Sequence, residues 1–547
     1  MPRMTGNHFF AEAMKGYGVT HLFFVPSVIG GAMAEIDAVG VCKVITHGEK
    51  AAAYMADGYA RASHRPGVCL CQDIGTTNLA AGLRDAHMAC VPVIAISGGQ
   101  SDRARYRHAY QNAEDFPAWD PVTKANFSVD TVDRLPDLLR QAFRAATSGP
   151  PGPVHLELRG NAGQLLDREA ELDLVFEERF SHYPAFRPEP EPDAVQAAAV
   201  ALAQADKPII VAGGGVTSSG AGAELVQLAE RLSIPIATSL HAKEIVPDDH
   251  PLAVGVVGSY SRWCANKAVS EADLVFFIGS HTGGQVTNAW DVPKPGVPTI
   301  QLDIDSNELG RNYPNAVSLL GDARTTLRRL IEAVEEQPPR EEWLKQVRDF
   351  VREYWAECEP FLNSDTAPIR PERICKELTQ WLPARSVLVA DTFHAAIWTA
   401  QMVRLTKQGQ RYIRCAGSLG WGFPATLGVK AALPDTPIVG FVGDAGFYYH
   451  IGELETAARM GLNAVIVVNN NYSGGVSETS RFEESVNLAK VAEGLGCVGI
   501  RVEKPAEIQP ALDKALASGR PAVVEVLSEF GARAKRGWAP AGESAGH

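Results

Sequence analysis

An aspartate and an asparagine close two consecutive apolar runs of this chain. Pro437 to Val442 reads as a strand and leads into Gly443-Asp444-Ala445-Gly446. A helical stretch follows, and a second strand-like run, Val465 to Val468, ends in Asn469-Asn470-Asn471. In a parallel sheet both strand ends open on the same edge, where ligands bind. A carboxylate and an amide offer hard oxygen ligands, suited to Mg²⁺ or Ca²⁺. Such a metal would grip a diphosphate. The plainer alternative is a β-α-β unit with a polar turn at each strand end.

Glu49 is the second candidate. It opens a helical run in which Glu49, Ala52, Ala56 and Ala60 share one face. A face of alanines lets another backbone come close. A lone Glu at a helix start is ordinarily a solvated charge favoured by the macrodipole. At the head of an alanine face it is expected to be buried and functional.

The elements that must position these groups fall into three α/β blocks. The first, expected over 1–163, holds strand-like runs at His21 to Val25, Gly67 to Cys71 and Val93 to Ser97. A polar linker over 164–192 ends in Arg187-Pro188-Glu189-Pro190-Glu191-Pro192. The second block, 193–335, runs from a helical pattern through the strands Pro208 to Ala212 and Leu274 to Ile278 to the helix Ala323 to Glu335. A charged linker over 336–365 leads to the third, 366–530, which holds Asp444. A Gly- and Ala-rich tail, 531–547, is expected to be partly disordered.

A length of 547 residues suits three or four domains. Lys plus Arg number 51 against 64 Asp plus Glu, a formal charge of −13. With no basic run, that argues against nucleic-acid or anionic-membrane partners. No apolar run reaches membrane-spanning length, and the start, Met1 to Asn7, lacks a signal-peptide core. Nine cysteines show no metal-ligand spacing. Cys69 and Cys71 alternate along a strand and are expected in the core. A cytoplasmic location is the default reading.

The Gly443 to Asn471 segment resembles the thiamin-diphosphate signature: a GDG-type start, a helix and a closing Asn pair, with Ala445 in place of the last glycine. His47 to Ala62 resembles the pyrimidine-domain helix of the same enzymes. The likeness continues in Arg65-Pro66-Gly67-Val68, Gly75-Thr76-Thr77-Asn78, Tyr110-Gln111 and Pro121-Val122-Thr123-Lys124. It covers nearly the whole chain and is closest to acetohydroxyacid synthase and its relatives, including benzaldehyde lyase. The resemblance implies an α/β fold of three doubly wound parallel-sheet domains: pyrimidine-binding, central Rossmann-like and diphosphate-binding. It implies a homodimer or homotetramer with the cofactor between the first domain of one subunit and the third of another.

The resemblance also assigns roles. Mg²⁺ would be held by Asp444, Asn471 and the backbone carbonyl of Ser473. Gly443, Ala445 and Gly446 would surround the diphosphate, and Gly75 would also touch the cofactor. Glu49 would share a proton with the aminopyrimidine and so promote loss of the thiazolium C2 proton. A carboxyl group in an apolar site holds its proton more readily, which suits that relay. In Ala416-Gly417-Ser418-Leu419-Gly420-Trp421-Gly422, Leu419 would prop the V-shaped cofactor. The Gly417 carbonyl would accept from the pyrimidine amino group.

On the substrate side the pattern departs from the synthase. Gln111 matches the glutamine of carboligating members. His108 is either a catalytic histidine or a surface residue. Ser480 stands where the synthase has the tryptophan that selects a second 2-oxo acid. The arginine of that site is not found; Gly279-Ser280-His281-Thr282-Gly283-Gly284 stands there. Val28, Gln72, Asp73, Trp421, Tyr472 and Ser477 are expected to shape the pocket with Ser480. In the central block Gly213-Gly214-Gly215 and Asp303-Ile304-Asp305 resemble flavin-binding positions. FAD there is one reading, a nucleotide-free structural domain the other.

The expected function is decarboxylation of a pyruvate-like 2-oxo acid with transfer of the acyl anion to an aldehyde or ketone, by a protein that is not an authentic acetohydroxyacid synthase. The alternatives are cleavage of an acyloin or cyclic diketone, and a turnover-deficient regulatory subunit.

Overall fold

Apolar runs such as Gly67–Cys71, Pro208–Ala212, Leu274–Ile278 and Val387–Ala390 are buried along their whole length, as strands covered on both faces must be. The computed structural model describes residues 1–101, 103–111, 116–475, 477–534 and 538. It gathers these runs into three six-stranded sheets, parallel throughout. Counted in chain order within each sheet, the first, from Cys42–Ile45 to Ala125–Val129, has strand order 2-1-3-4-6-5. The third, from Arg411–Arg414 to Val498–Val502, has the same order. The central sheet runs 3-2-1-4-5-6. The fold class is the expected one, and the outer domains prove to share one topology.

Each order reverses beside its first strand, and the crevice at that reversal is where doubly wound sheets bind ligands. In the third sheet the reversal lies between Val387–Ala390 and Ile438–Gly443, which are paired. Asp391 and Asp444 are the residues that follow these two strands.

The helix Glu49–Ser63 is buried from Ala51 through Ala62 and packs on the helix Gly422–Ala432 of the third domain. The contact is backbone to backbone. A Cβ on Gly58 would lie 2.3 Å from the Ala425 carbonyl oxygen, and one on Gly428 would lie 1.9 Å from that of Met55. Glycines therefore carry the close approach expected of the alanine face. Ala56 instead backs onto its own sheet, where a Cβ on Gly67 would lie 2.0 Å from the Ala56 oxygen. This packing is completed within one chain, so it gives no argument for a second subunit.

The expected charged linker 336–365 is largely one helix, Glu341–Leu362. It turns Trp343, Val347, Phe350, Tyr354 and Cys358 inward at helical spacing, and the Trp343 indole donates to the Pro208 carbonyl at 2.9 Å. Its dense charges belong to the outer face. Part of 164–192 returns to the start of the chain, where Glu169–Glu171 pairs antiparallel with Arg3–Thr5. Cys69 and Cys71 are buried in the core as expected. Most of the tail 531–547 lies outside the described residues. Among the described residues no helix is long and apolar enough to cross a membrane.

Candidate active site

Asp444 begins the helix Asp444–Tyr448 directly after the strand Ile438–Gly443. The neighbouring strand Val465–Asn470 sets Asn469 opposite Gly443, so the two polar strand ends share one edge. Beyond that strand the chain turns back at Tyr472, whose φ is 55°. The Ser473 amide then donates to Asp444 Oδ2 at 2.9 Å, and the Ala445 amide donates to Oδ1 at 2.8 Å. The carboxylate is only 2 % exposed. Burial pushes its pKa up to about 6 against these backbone N–H groups, which favour the charged form.

The three asparagines are not equivalent. Asn470 is structural: its amide nitrogen donates to Glu525 at 2.7 Å, and its oxygen accepts from the Tyr472 amide at 2.9 Å. Asn469 Oδ1 is buried without a hydrogen-bond partner among the described residues. Asn471 stands half-buried at the strand end. Ser480 braces the loop, its carbonyl accepting from Gly474 N at 2.9 Å and from Ser473 Oγ at 3.0 Å. Among the described residues no cluster of three or more His, Cys, Asp or Glu side chains forms a metal site. The oxygens at this edge are the buried Asp444 carboxylate and the unpartnered Asn469 amide oxygen. That set fits Mg²⁺, which typically takes one or two carboxylates and completes its shell with phosphate oxygens and water.

The loop 416–421 lies against the same helix. A Cβ on Gly446 would meet Leu419 Cδ1 at 3.5 Å, and one on Gly420 would meet Gly446 O at 3.3 Å. Asp391, which the sequence reading passed over, joins the two. It is 1 % exposed, its Oδ2 accepts from Gly420 N at 3.1 Å, and a Cβ on Gly446 would lie 2.2 Å from that oxygen. Burial pushes its pKa up to about 7. Its place directly after a central strand was the available signal.

Glu49 is the first residue of its helix, with Gly48 as the cap, and is half-buried rather than buried as expected, because the buried alanine run begins only at Ala51. Its carboxylate accepts from Asn78 Nδ2 at 3.3 Å and packs on Gly75, where a Cβ would lie 2.7 Å from Oε1. Gly75 and Asn78 thus stand beside Glu49, at the start of the helix Thr76–Met88.

Family models describe the parts in the same terms. The thiamine pyrophosphate enzyme N-terminal TPP binding domain matches residues 4–118, the central domain 195–330, and the C-terminal TPP binding domain 394–526. A probable acetolactate synthase large subunit of Methanocaldococcus jannaschii is 32% identical over 553 residues, covering 96% of this chain and 92% of that protein. This chain belongs to the thiamine pyrophosphate enzymes. It also resembles the acetolactate synthase large subunit of Corynebacterium glutamicum, at 30% identity over 96% of this chain and 87% of that one. A glyoxylate carboligase of Escherichia coli O157:H7 is 32% identical over 90% of this chain and 87% of its own. The protein is therefore a thiamine-pyrophosphate-dependent enzyme of the acetolactate synthase and glyoxylate carboligase type.

In this thiamine pyrophosphate enzyme the expected pocket residues divide. Gln72 and Gln111 meet: Gln111 Oε1 accepts from Gln72 Nε2 at 2.6 Å and from Asn161 Nδ2 at 3.2 Å. Asp73 is buried beside them, its amide donating to the Asn161 carbonyl at 2.9 Å. Asn161 was not foreseen. Ser477 is exposed on the loop that Ser480 closes, and His108 is exposed on the turn before Gln111.

Trp421 and Val28 are buried in packing, and Tyr472 is tied to a neighbouring strand. Trp421 is fully buried; its indole donates to Asp57 Oδ2 at 2.7 Å and lies under the Arg61 guanidinium at 4.7 Å. An aromatic beside a glycine-rich run is here a packing residue between domains. Val28 is 1 % exposed in the core of the first domain. The Tyr472 hydroxyl accepts from Arg501 at 2.9 Å, which commits the ring to the strand Val498–Val502.

At the reversal of the central sheet, Gly213–Gly215 and Gly279 border a cavity of about 350 Å³ with Asp303 and His281 on its wall. A Cβ on Gly213 would lie 2.1 Å from the Gly279 oxygen and one on Gly215 2.7 Å from the Gly279 Cα, so these two glycines are required by packing whether or not a nucleotide binds.

Proposed function

We propose that this enzyme decarboxylates a pyruvate-like 2-oxo acid and joins the acyl unit to an aldehyde or ketone, using Mg²⁺ and thiamin diphosphate. The observation that carries the cofactor half is the closure of Ser473 on buried Asp444 at the end of the neighbouring strand. When bound, thiamin diphosphate supplies the electron sink for the acyl carbanion. Asp444, Asn471 and the Ser473 carbonyl would hold the Mg²⁺. Leu419 would keep the two rings folded, the Gly417 carbonyl would fix the aminopyrimidine, and Glu49 would hold the shared proton at the ring nitrogen. As the family places its cofactor between subunits, we infer a homodimer or homotetramer.

The acceptor half rests on Gln111. Two donors already occupy its Oε1, which sets the amide so that its NH₂ group faces other partners. An NH₂ donor suits an acceptor carbonyl and the alkoxide that grows on it. The glyoxylate carboligase relative supports this pairing, since glyoxylate is both a 2-oxo acid and an aldehyde. Ser480 hydrogen-bonds into the metal loop where a synthase carries an indole, which supports a reaction other than acetohydroxyacid synthesis. FAD in the central cavity and a nucleotide-free structural domain stay the two readings of that domain, and a flavin absorbance spectrum of the purified protein decides between them.

The experiment is incubation of the Mg²⁺- and cofactor-loaded protein with pyruvate or glyoxylate, with and without a small aldehyde. Released CO₂ and products are measured together. CO₂ matched by a new hydroxycarbonyl product is expected. Cleavage of an added acyloin without CO₂ release from any 2-oxo acid would establish the lyase alternative, and no turnover at all would indicate a regulatory subunit.

A further inference from the structure

Asp85 lies on the helix Thr76–Met88 of the first domain, yet its carboxylate serves the third. It is 0 % exposed. Oδ1 accepts from the Ala416 amide at 2.8 Å, and Oδ2 accepts from the amides of Gly417 at 3.0 Å and Ser418 at 2.9 Å. Arg61 is the fourth donor, at 2.9 Å. Arg61 also grips Asp57 with two bonds, at 2.7 and 2.9 Å, and donates to the Arg414 carbonyl at 2.5 Å. A buried carboxylate is costly unless paired and hydrogen-bonded, and here every donor is in place.

The direction of these bonds matters more than their number. In a trans peptide the C=O and N–H of one unit point opposite ways. The Ser418 N–H belongs to the same unit as the Gly417 carbonyl. Asp85 holds that N–H, so the Gly417 carbonyl must point away from Asp85. Gly417 is exposed, and a Cβ on it would meet nothing within 4 Å. The loop is therefore anchored on one side and open on the other.

We propose that Asp85 is a positioning residue: from the first domain it holds residues 416–418 so that the Gly417 carbonyl faces the aminopyrimidine of thiamin diphosphate. Arg61 and Asp57 keep its charge in place. The inference rests on the cofactor assignment made above. It gives the first domain a hand in the cofactor loop of its own chain, distinct from the part assigned to Glu49.

The test is Asp85→Asn, which keeps the size but turns an NH₂ group toward donors. Affinities of the cofactor-free protein for thiamin diphosphate and for inorganic diphosphate, each with Mg²⁺, are measured by calorimetry. Inorganic diphosphate has no aminopyrimidine and reads only the Asp444 end. Affinity for thiamin diphosphate should fall roughly 10- to 100-fold, the scale of lost charge-assisted bonds, while that for inorganic diphosphate stays at the wild-type value. Equal losses would make Asp85 a general support of the third domain, and no loss would remove it from the loop's positioning; either overturns the proposal. Should the variant not fold, Asp85→Glu keeps the charge but displaces the carboxylate by one methylene. It should show the same selective loss, and wild-type affinity for both ligands would overturn the proposal. Wild-type protein that binds neither ligand would instead overturn the cofactor assignment, and the purpose given to Asp85 with it.

Discussion

The Ser473 amide donates to Asp444 Oδ2 at 2.9 Å, so the turn after one strand closes on the carboxylate that ends its neighbour. This closure sets Ser473 against the buried Asp444 carboxylate, with Asn471 half-buried just beyond the neighbouring strand. Asp444→Ala should therefore lose affinity for thiamin diphosphate with Mg²⁺. Asn471→Ala should lose less, because an amide carries no charge. Calorimetric titration of the cofactor-free variants checks this, and wild-type affinity in Asp444→Ala would place the metal elsewhere.

The pH dependence follows from the same carboxyl. Burial raises its pKa from 3.8 to about 6 in the metal-free fold. A raised carboxyl pKa stabilises the fold fully below the unfolded value, and that contribution is lost as pH rises through about 6. Mg²⁺ must displace the proton, so its stabilising effect should grow over the same interval. Thermal unfolding with and without Mg²⁺ and cofactor, from about pH 5 to about pH 7, should show a ligand-induced rise in Tm that increases with pH. A rise that is flat with pH would mean the proton and metal do not compete at Asp444.

Glu49→Gln should keep the fold and the bound cofactor but lose roughly 10²–10⁴-fold in turnover, the range for a general acid–base group. Hydrogen–deuterium exchange at C2 of bound thiamin diphosphate isolates the step. Exchange at the wild-type rate in the variant would remove Glu49 from activation.

Gly428→Ala should destabilise the junction of the first and third domains. Its Cβ would lie 1.9 Å from the Met55 carbonyl oxygen, a backbone atom that cannot rotate away. Overpacking of this kind costs typically about 1–3 kcal/mol. Calorimetry should show a lower Tm, and an unchanged Tm would mean that the two helices can separate without loss.

Much of the fold and the sheet edge that carries Asp444 was legible in the sequence because strand ends are local features. Asp444 and Asn471 follow unbroken apolar runs, and a parallel sheet brings such ends together whatever lies between. The helix start at Glu49 was legible, but the full burial expected from the alanine face was not found: the residue is half-buried and the buried run begins at Ala51. Two of the gaps share a cause: side chains whose partners lie far away in the chain. Trp421 read as a pocket wall because Asp57 and Arg61 stand hundreds of residues earlier. Asp85 drew no reading from the sequence, because three of its four donors come from another domain. One local signal was present, the i,i+4 pair Asp57 and Arg61 inside a helix otherwise rich in alanine, where charges are rarely buried unpaired. The helix Glu341–Leu362 was hidden by its charges, although its inward residues keep helical spacing.

The central claim is that the acyl unit from a 2-oxo acid passes to an aldehyde or ketone. It is tested most directly by competition. The loaded enzyme is given pyruvate with equal concentrations of 2-ketobutyrate and a small aldehyde, and the products are resolved by NMR, for wild type and Gln111→Ala. The aldehyde-derived hydroxyketone should dominate in wild type. Its formation should drop on the order of 10²–10³-fold in Gln111→Ala, as expected for loss of one donor to a developing oxyanion. A dominant 2-ketobutyrate product would show an acetohydroxyacid synthase, and unchanged ligation in Gln111→Ala would take that residue out of the mechanism.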